Sequence, residues 1–259
     1  MTEVNTFPVY FDRVYIINLP SRPDRLKSIM GELDKLGFAG ARERIFVPEA
    51  PMPEDPNGFP SKGVFGNFLS HFTILRDAQE LGLDRILVLE DDAIFLRALR
   101  KMSVQAGIIG ELESHHWGMW FGGHRLRQEL SGQPKGVIPT KLGFAWAHCY
   151  AVHGRSLGAL IDYLAATMER PRGHPLGGRM YIDGAFSMFR DLHPGHLCLI
   201  SNPAVSIQKG TTSNLGELKS YDSSTLVRPL VGKVRALRDE FWRRTGIDFR
   251  KGLNRKSAR

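Results

Sequence analysis

Two apolar runs, at residues 14–19 and 85–89, constrain the fold most strongly. Val-Tyr-Ile-Ile-Asn-Leu and Arg-Ile-Leu-Val-Leu contain almost no polar alternation, which is typical of strands buried on both faces of a parallel sheet. Apolar residues at helical spacing follow the first run as far as Gly37 and recur over residues 66–81, before the second run. This alternation of strand and helix predicts an α/β fold with a mostly parallel central sheet flanked by helices.

The rest of the chain predicts a more mixed sheet and a simple domain organisation. Four prolines in residues 48–58 forbid regular structure and predict an exposed loop. Further strands are expected at residues 117–121, 136–138, 144–152, 197–200 and 204–208, with a helix from residue 155 to about 168. We therefore expect one large domain over residues 1–220, followed by a basic C-terminal helix and tail over residues 221–259.

Positive charge is concentrated in that C-terminal segment. The chain carries a formal charge of +8, and residues 225–259 contain eleven Lys or Arg against three acids, so the preceding residues balance to zero. A nucleic-acid-binding protein would spread its charge over a folded face, so we expect no nucleic-acid partner. Leu230, Val234, Leu237 and Phe241 recur at helical spacing among basic residues, which predicts a basic amphipathic helix. This pattern fits docking on an anionic membrane surface and packing on the protein body equally well.

The expected location of the protein follows from two features of the sequence. The chain has no uninterrupted apolar run of about 18 residues, and its first residues lack the basic-then-apolar order of a signal peptide. We expect a cytoplasmic protein that is at most peripheral on the inner face of the cell membrane.

The two cysteines, Cys149 and Cys198, lie in apolar strand-like stretches and are expected to be buried free thiols.

The second apolar run leads directly into Glu90-Asp91-Asp92. Open α/β sheets bind ligands in the crevice beyond the carboxyl ends of their strands. Because adjacent carboxylates repel one another there, the cluster is unfavourable without a cation, and oxygen ligands suit Mg²⁺ or Mn²⁺. Glu90 and Asp92 fall on one face of the strand, so we expect both to bind the metal while Asp91 points elsewhere. The alternative is that Asp91 or Asp92 caps a following helix.

Several motifs occur together in a recognisable order. Residues 14–19 with Arg22-Pro-Asp-Arg25, then Gly-Asn-Phe-Leu-Ser-His at 66–71, then Leu-Val-Leu-Glu-Asp-Asp-Ala at 87–93 resemble glycosyltransferase family 25. This family contains bacterial lipopolysaccharide-biosynthesis galactosyltransferases and collagen galactosyltransferase domains. The similarity continues through residues 145–152, residues 181–183, Gln208 and residues 213–215. It covers roughly residues 12–215 and leaves the basic tail outside.

Two positions depart from the family pattern. Asn67 stands where the family usually has a cysteine after the glycine, and we interpret this difference as one of packing. Asn214 replaces an aspartate of the final motif and removes a charge near the expected donor.

The resemblance implies both a fold and a reaction. The expected fold is GT-A-like. The expected activity is transfer of a hexose, with galactose as the expected sugar, from a nucleotide diphosphate sugar, with UDP as the nucleotide and inversion at the anomeric carbon. Mn²⁺ or Mg²⁺ is expected to bind at the acidic cluster. The acceptor would be a hydroxyl of a glycan or of a lipid-linked oligosaccharide.

Sugar transfer needs a base for the acceptor hydroxyl. We expect Asp183 to be that base, because it lies between Ile182 and Gly184, where an apolar setting could raise its pKa. The alternative is that Asp183 caps a helix over residues 184–189.

Donor-binding residues are expected around the ends of the strands. Asn18 and Leu19 end the first run, where this fold class reads the nucleotide, and Arg22 or Arg25 could approach the diphosphate. We expect one of these arginines to be functional and the other to be a solvated helix charge. His71, Asp91 and Gln208 complete the set of donor-binding candidates. His71 is a histidine expected to support the site rather than to act as a ligand.

Two other functions use the same features. A metal-dependent phosphotransferase or nucleotidyltransferase would use similar carboxylates, but the chain has no Walker-type loop and no kinase motif set. An inactive relative that binds a glycan or nucleotide is the second alternative. The intact acidic cluster argues against it, because clustered carboxylates without a ligand are unfavourable.

Overall fold

The computed structural model describes residues 5–126, 133–141, 144–209 and 228–245. The helices of these ranges are α1 (Phe7–Tyr10), α2 (Pro23–Lys35), α3 (Lys62–Glu80), α4 (Met102–Glu113), α5 (Gly154–Glu169), α6 (Ile182–Leu192) and α7 (Arg228–Thr245). The strands are β1 (Arg13–Ile17), β2 (Ile45–Phe46), β3 (Arg85–Glu90), β4 (Ala93–Phe95), β5 (Trp117–Leu126), β6 (Gly136–Pro139), β7 (Phe144–His153), β8 (Leu197–Asn202) and β9 (Ser206–Gln208). Residues 213–215, which belong to the final family motif, lie outside the described residues.

The strands form one sheet in the order β2-β1-β3-β7-β5-β8-β6. β9 pairs with β4 and, at Gly123, with β5. The pairing directions show that β2, β1, β3, β5 and β8 all point the same way, while β7 and β6 run against them. The predicted α/β class, with a mostly parallel central sheet flanked by helices, is confirmed.

Two apolar cores cover the two faces of this sheet. Successive side chains of β3 alternate between them, since Ile86 and Val88 face α3, α5 and α6, while Leu87 and Leu89 face α1, α2 and α4. Because both faces are covered, the strand has no polar alternation, as its sequence indicated. Cys149 and Cys198 are buried free thiols in these cores, as predicted.

Local sequence explains where the two helices near the site begin. α2 starts at Pro23, whose fixed φ and missing N–H suit a first helical turn. α3 starts at Lys62, four residues before the predicted position, because Ser61 caps it by accepting a hydrogen bond from the Val64 N–H. The earlier start adds a turn to the helix, and that turn lies beside the cavity described below.

The C-terminal helix α7 contacts the body of the protein. Trp242 is 3% exposed and packs on Ile94 of β4 and Ile207 of β9. Arg243 forms an ion pair of 3.0 Å with the buried Glu32 of α2, and Arg97 pairs with Glu240. The predicted amphipathic helix is present, and Trp242 is the residue that anchors it. No described helix combines the length and the apolar character needed to cross a membrane.

Candidate active site

The acidic cluster lies where β1 and β3 end side by side. Parallel pairing sets Ile17 opposite Glu90, and the Asp91 N–H donates to the Ile17 carbonyl at 3.1 Å. From the other side, the Lys209 N–H donates to the Asp92 carbonyl at 2.7 Å. The cluster therefore occupies the carboxyl edge of the sheet. The alternative that it caps a helix is wrong, because the short strand β4 follows it directly.

A cavity of about 490 Å³ opens beside this cluster. Its wall combines apolar residues from the end of β1 and the proline-rich loop with polar and charged residues from α2, α3, the cluster and the end of β9. The lining residues are Ile17, Leu19, Arg25, Ala50, Pro51, Met52, Pro53, Glu54, Lys62, Gly63, Gly66, Asn67, Ser70, Glu90, Asp91, Asp92 and Gln208. A volume of this size with mixed lining suits a small polar ligand that also has an apolar part.

Glu90 is held from both sides by neutral donors. Asn67 Nδ2 donates to its Oε1 atom at 3.2 Å, and Gln208 Nε2 donates to its Oε2 atom at 2.9 Å. His71 Nε2 lies 3.5 Å from Oε1. Burial raises the pKa of Glu90, but the facing ring of His71, together with His148 and Asn67, outweighs burial and holds the pKa of Glu90 below its usual value. Glu90 is thus a carboxylate whose two oxygens are held by separate hydrogen bonds.

Asp92 has the opposite environment. Its Oδ1 atom is enclosed and has no hydrogen-bond partner within the described part of the chain. Burial raises the pKa of Asp92 to about 8, and the neighbouring charges of Glu90 and Asp91 add to the increase. A buried carboxylate oxygen without a donor is unfavourable, so Asp92 is the group in this cavity that most needs a cationic partner.

The residues present fit a hard divalent cation. Among the described residues no group of three or more His, Cys, Asp or Glu forms a complete metal site. Mg²⁺ and Mn²⁺ sites commonly use only one or two protein carboxylates and take their other ligands from water and substrate phosphates. Asp92, with its enclosed oxygen, and Glu90, at the same edge of the cavity, meet that requirement.

Asp91 is engaged with an arginine. Arg25 Nη1 lies 3.0 Å from Asp91 Oδ1, and both side chains are largely buried while both residues line the cavity. Burial raises the pKa of Asp91, and the Arg25 charge opposes this increase. Arg22 instead forms a two-point contact with Asp24, at 3.0 and 2.9 Å, and is not among the lining residues. The structure thus separates the two arginines, since Arg25 forms an ion pair with the cluster whereas Arg22 pairs with Asp24.

His71 lies behind the cluster. It is fully buried on α3, its Nδ1 atom lies 2.8 Å from the Tyr150 hydroxyl, and it does not line the cavity. Its hydrogen-bonded ring faces Glu90 through Nε2. This arrangement matches a residue that orients a site carboxylate.

The two residues that follow β1 differ in position. Leu19 lines the cavity, whereas Asn18 does not. Asn18 is 7% exposed and uses its side-chain amide to donate to the Leu19 carbonyl at 2.8 Å. Asn18 therefore stabilises the turn after β1, and Leu19 forms part of the cavity wall.

Asp183 lies outside the cavity lining. It occupies the first turn of α6, after the cap residue Tyr181, and its Oδ2 atom accepts a hydrogen bond of 2.9 Å from the Trp146 N–H. Trp146 has a φ of 75°, a left-handed conformation that costs a non-glycine residue about 1–3 kcal/mol. The Asp183 carboxylate stabilises this bend of β7. The bend lies beyond Glu90 at the same edge of the sheet, because Leu89 pairs with Cys149 in an antiparallel register.

Sequence reasoning missed the contribution of α3. Lys62, Gly66, Asn67 and Ser70 line the cavity along one face of this helix. The interpretation of Asn67 as a packing difference is wrong, since its amide donates to Glu90. The spacing of Lys62, Gly66 and Ser70, four residues apart, was the available signal, because such residues share one side of a helix. This spacing could be recognised only once Lys62 was known to start α3, because the sequence had predicted the helix from residue 66.

Comparison with curated proteins confirms the resemblance to glycosyltransferase family 25. The chain is 26% identical over 205 residues to the human "Inactive glycosyltransferase 25 family member 3", covering 71% of this chain and 32% of that protein. It is 28% identical over 202 residues to the zebrafish (Danio rerio) "Procollagen galactosyltransferase 1", with coverage of 71% and 32%. The chain thus spans about a third of the length of these relatives. No protein-family model matches it.

Solved structures show distant likenesses. A glycosyltransferase involved in glycosylation of the major capsid of PBCV-1 aligns with 87% of this chain and 99% of its own, at 12% identity and a TM-score of 0.49. Mouse xyloside xylosyltransferase 1, in its apo form, aligns with 72% of this chain and 83% of its own, at 11% identity and a TM-score of 0.40.

Proposed function

We propose that this chain is a GT-A-like glycosyltransferase that moves a hexose from a nucleotide diphosphate sugar to a hydroxyl of a glycan or lipid-linked oligosaccharide. The observation that carries the proposal is the enclosed Asp92 oxygen without a hydrogen-bond partner among the described residues, beside a cavity of about 490 Å³. A phosphorylated ligand with its cation would satisfy that oxygen and fill that space. UDP is the proposed nucleotide. Galactose is the proposed sugar because the zebrafish relative is named a galactosyltransferase.

The cavity lining supports binding of a nucleotide diphosphate. Leu19, Ala50 and Met52 offer apolar contact for a base and ribose, and Lys62 and Arg25 offer positive charge for phosphates. Arg25 is already paired with Asp91. Lys62 is exposed on the first turn of α3, where the helix dipole also favours an anion. We therefore assign the main diphosphate contact to Lys62.

Asp92 and Glu90 are the proposed residues for Mn²⁺ or Mg²⁺. When bound, such an ion would neutralise the charge that develops on the departing nucleoside diphosphate. Glu90 supports this role because Asn67 and Gln208 fix its two oxygens in separate hydrogen bonds. Asp91 holds Arg25 at the wall, and His71 orients Glu90 from behind.

Asp183 is the proposed base. Its carboxylate would take the proton of the acceptor hydroxyl as that oxygen attacks the anomeric carbon, and attack from the face opposite the leaving group inverts the configuration. Its hydrogen bonds with the N–H groups of Trp146 and Gly184 fix the orientation of the carboxylate. Its place beyond Glu90 at the same edge of the sheet suits a group that approaches from the acceptor side.

Two further assignments belong to this proposal. Residues 1–220 form the transferase unit and residues 221–259 form the basic helix and tail. The proposed location is the cytoplasm, including the inner face of the cell membrane.

A donor-hydrolysis and transfer screen tests the reaction itself. The protein is incubated with Mn²⁺ and each common UDP-sugar, and released UDP and free sugar are measured, with Asp92→Asn as the matched control. We expect UDP release that is fastest for UDP-galactose and absent in the control. Equal background rates for the two proteins with every donor would favour an inactive glycan- or nucleotide-binding protein. Transfer of a phosphoryl or nucleotidyl group would favour the other alternative.

A further inference from the structure

The C-terminal helix α7 has two faces of different character. Trp242 and Asp239 are 3% and 5% exposed, and Arg243 contacts the buried Glu32. At about 100° per residue, these three side chains share one side of the helix. That side is the one held against β4, β9 and α2.

A second set of apolar side chains points away from the body. Val234 is 59% exposed, Leu237 is 73% exposed and Phe241 is 38% exposed. Their positions fall within an arc of about 60°, roughly opposite the centre of the body-facing side. Packing on the protein body therefore accounts for Trp242 but not for the side chains of Val234 and Leu237. The two alternatives left open by the sequence apply to different faces of one helix.

The charges on α7 indicate what kind of surface would cover the exposed apolar face. α7 contains six Arg or Lys and two acids, and both acids are paired with arginines: Asp239 with Arg238, and Glu240 with Arg97 and Arg244. Lys233 is exposed and, by helical position, lies beside the apolar arc. The face thus combines exposed aliphatic side chains with excess positive charge. A symmetric contact between two copies would oppose like charges across the interface.

We propose that the face formed by Val234, Leu237 and Phe241 binds an anionic lipid surface, with α7 lying in the plane of the membrane interface. In this orientation the aliphatic side chains enter the boundary between headgroups and acyl chains, while Lys233 stays at the level of the phosphates. Trp242 and Arg243 remain on the body, so the helix joins the transferase unit rigidly to the membrane. This inference goes beyond the proposed transfer reaction and stands independently of it.

Vesicle flotation with the full chain tests this surface. We expect the protein to float with phosphatidylglycerol-rich vesicles and not with pure phosphatidylcholine vesicles, and added NaCl should weaken the binding. The double variant Val234→Glu, Leu237→Glu should bind roughly tenfold less. Lys233→Glu alone should bind less at low salt. The matched control is Val9→Glu, Met102→Glu, which adds the same charge at residues that are 48% and 62% exposed elsewhere, and it should bind like the wild type.

Three outcomes would overturn the proposal. They are equal binding to neutral and anionic vesicles, retained binding by the α7 double variant, and equal loss in the matched control. Size-exclusion chromatography adds a separate check. A wild-type dimer that the α7 double variant converts to a monomer would identify a second copy, rather than lipid, as the occupant. UDP binding by the same variants reports on the donor site separately, so failure of this surface and failure of the proposed reaction are distinguishable.

Discussion

Gln208 Nε2 donates to Glu90 Oε2 at 2.9 Å, a hydrogen bond between residues 118 positions apart in the chain. This hydrogen bond connects the end of β9 to the end of β3. Asn67 of α3 holds the other oxygen of the same carboxylate at 3.2 Å. The position of Glu90 therefore depends on two elements that are remote in sequence.

Loss of the Gln208 donor should weaken the proposed metal site without unfolding the protein. Gln208→Leu keeps the side-chain size but leaves one oxygen of Glu90 without its donor. Partners that orient metal ligands commonly contribute about 10–100-fold in affinity, so we expect Mn²⁺-dependent UDP binding to fall by about tenfold. Calorimetry measures this change. Gln79→Leu, at an exposed position on α3, is the control, and an equal effect there would contradict the assignment.

The contact between α3 and the proline-rich loop makes Gly66 sensitive to size. A Cβ atom at Gly66 would lie 2.8 Å from the Pro51 carbonyl oxygen and 3.1 Å from Pro53 Cδ, so Gly66→Ala should push this wall of the cavity outward. Overpacking of this kind costs about 1–3 kcal/mol, and we expect roughly tenfold weaker UDP binding, about 1.4 kcal/mol.

Gly31→Ala is the matched control for Gly66→Ala. Gly31 lies inside α2, and a Cβ there meets nothing within 4 Å. This substitution should stabilise the protein by about 0.5–1 kcal/mol in denaturant unfolding and leave UDP binding unchanged. If Gly66→Ala behaved in the same way, the loop would not form the wall of the ligand site.

Lys62 should contribute specifically to the diphosphate. A contact between an ammonium group and a phosphate is worth about 1.5–3 kcal/mol, so Lys62→Ala should weaken UDP binding by about tenfold or more. Uridine, which lacks phosphate, should bind equally to both proteins. Lys101→Ala, at another exposed lysine, should change neither. An equal loss for UDP and uridine would assign Lys62 to the shape of the cavity instead.

The pKa of Asp92 predicts how stability depends on pH without added metal. Because the pKa of Asp92 is raised to about 8 by burial and by the charges of Glu90 and Asp91, the folded state retains a proton that the unfolded state has lost above about pH 4. Stability should therefore fall as pH rises towards and through 8. We expect the melting temperature to drop on the order of 5 °C between about pH 6.5 and 8.5.

The choice of pH range separates Asp92 from the two shifted histidines and from Glu90. The pKa values of His153 and His196 are lowered by burial, so their effect on stability lies below this range. The pKa of Glu90 is lowered from 4.5 and also acts below it. Asp92→Asn should flatten the melting profile between about pH 6.5 and 8.5. An unchanged slope in this variant would contradict the environment described for Asp92.

Asp183→Asn tests the proposed base. Asparagine keeps an oxygen that can accept the Trp146 N–H, so the bend of β7 should persist. Loss of a general base lowers kcat by about 10²–10⁴, and we expect that decrease with little change in the donor KM. A normal kcat would leave Asp183 with a structural role at Trp146 only.

The elements that the sequence predicted best are those whose burial produces a recognisable pattern of apolar residues within the element itself. β1 and β3 are covered on both faces by the two cores, so each appears as a continuous apolar run. The position of the cluster at the end of β3 then followed from chain order alone. α2 and α5 have strong apolar periodicity and were also recognisable.

The elements that the sequence did not reveal depend on remote contacts. β4 has three residues and is a strand only because it pairs with β9, so the residues after Asp92 also read as a helix start. α4 is apolar on several sides and gives little periodicity. The contacts of Asn67 and Gln208 with Glu90 join three elements, and no local spacing encodes them.

Calorimetric titration of UDP with and without Mn²⁺, in the wild type and in Asp92→Asn, tests the central claim most directly. We expect Mn²⁺ to strengthen UDP binding to the wild type by at least about tenfold, and Asp92→Asn to remove this increase while its fold is retained. UDP binding that is absent, or that is the same with and without Mn²⁺ in both proteins, would contradict it.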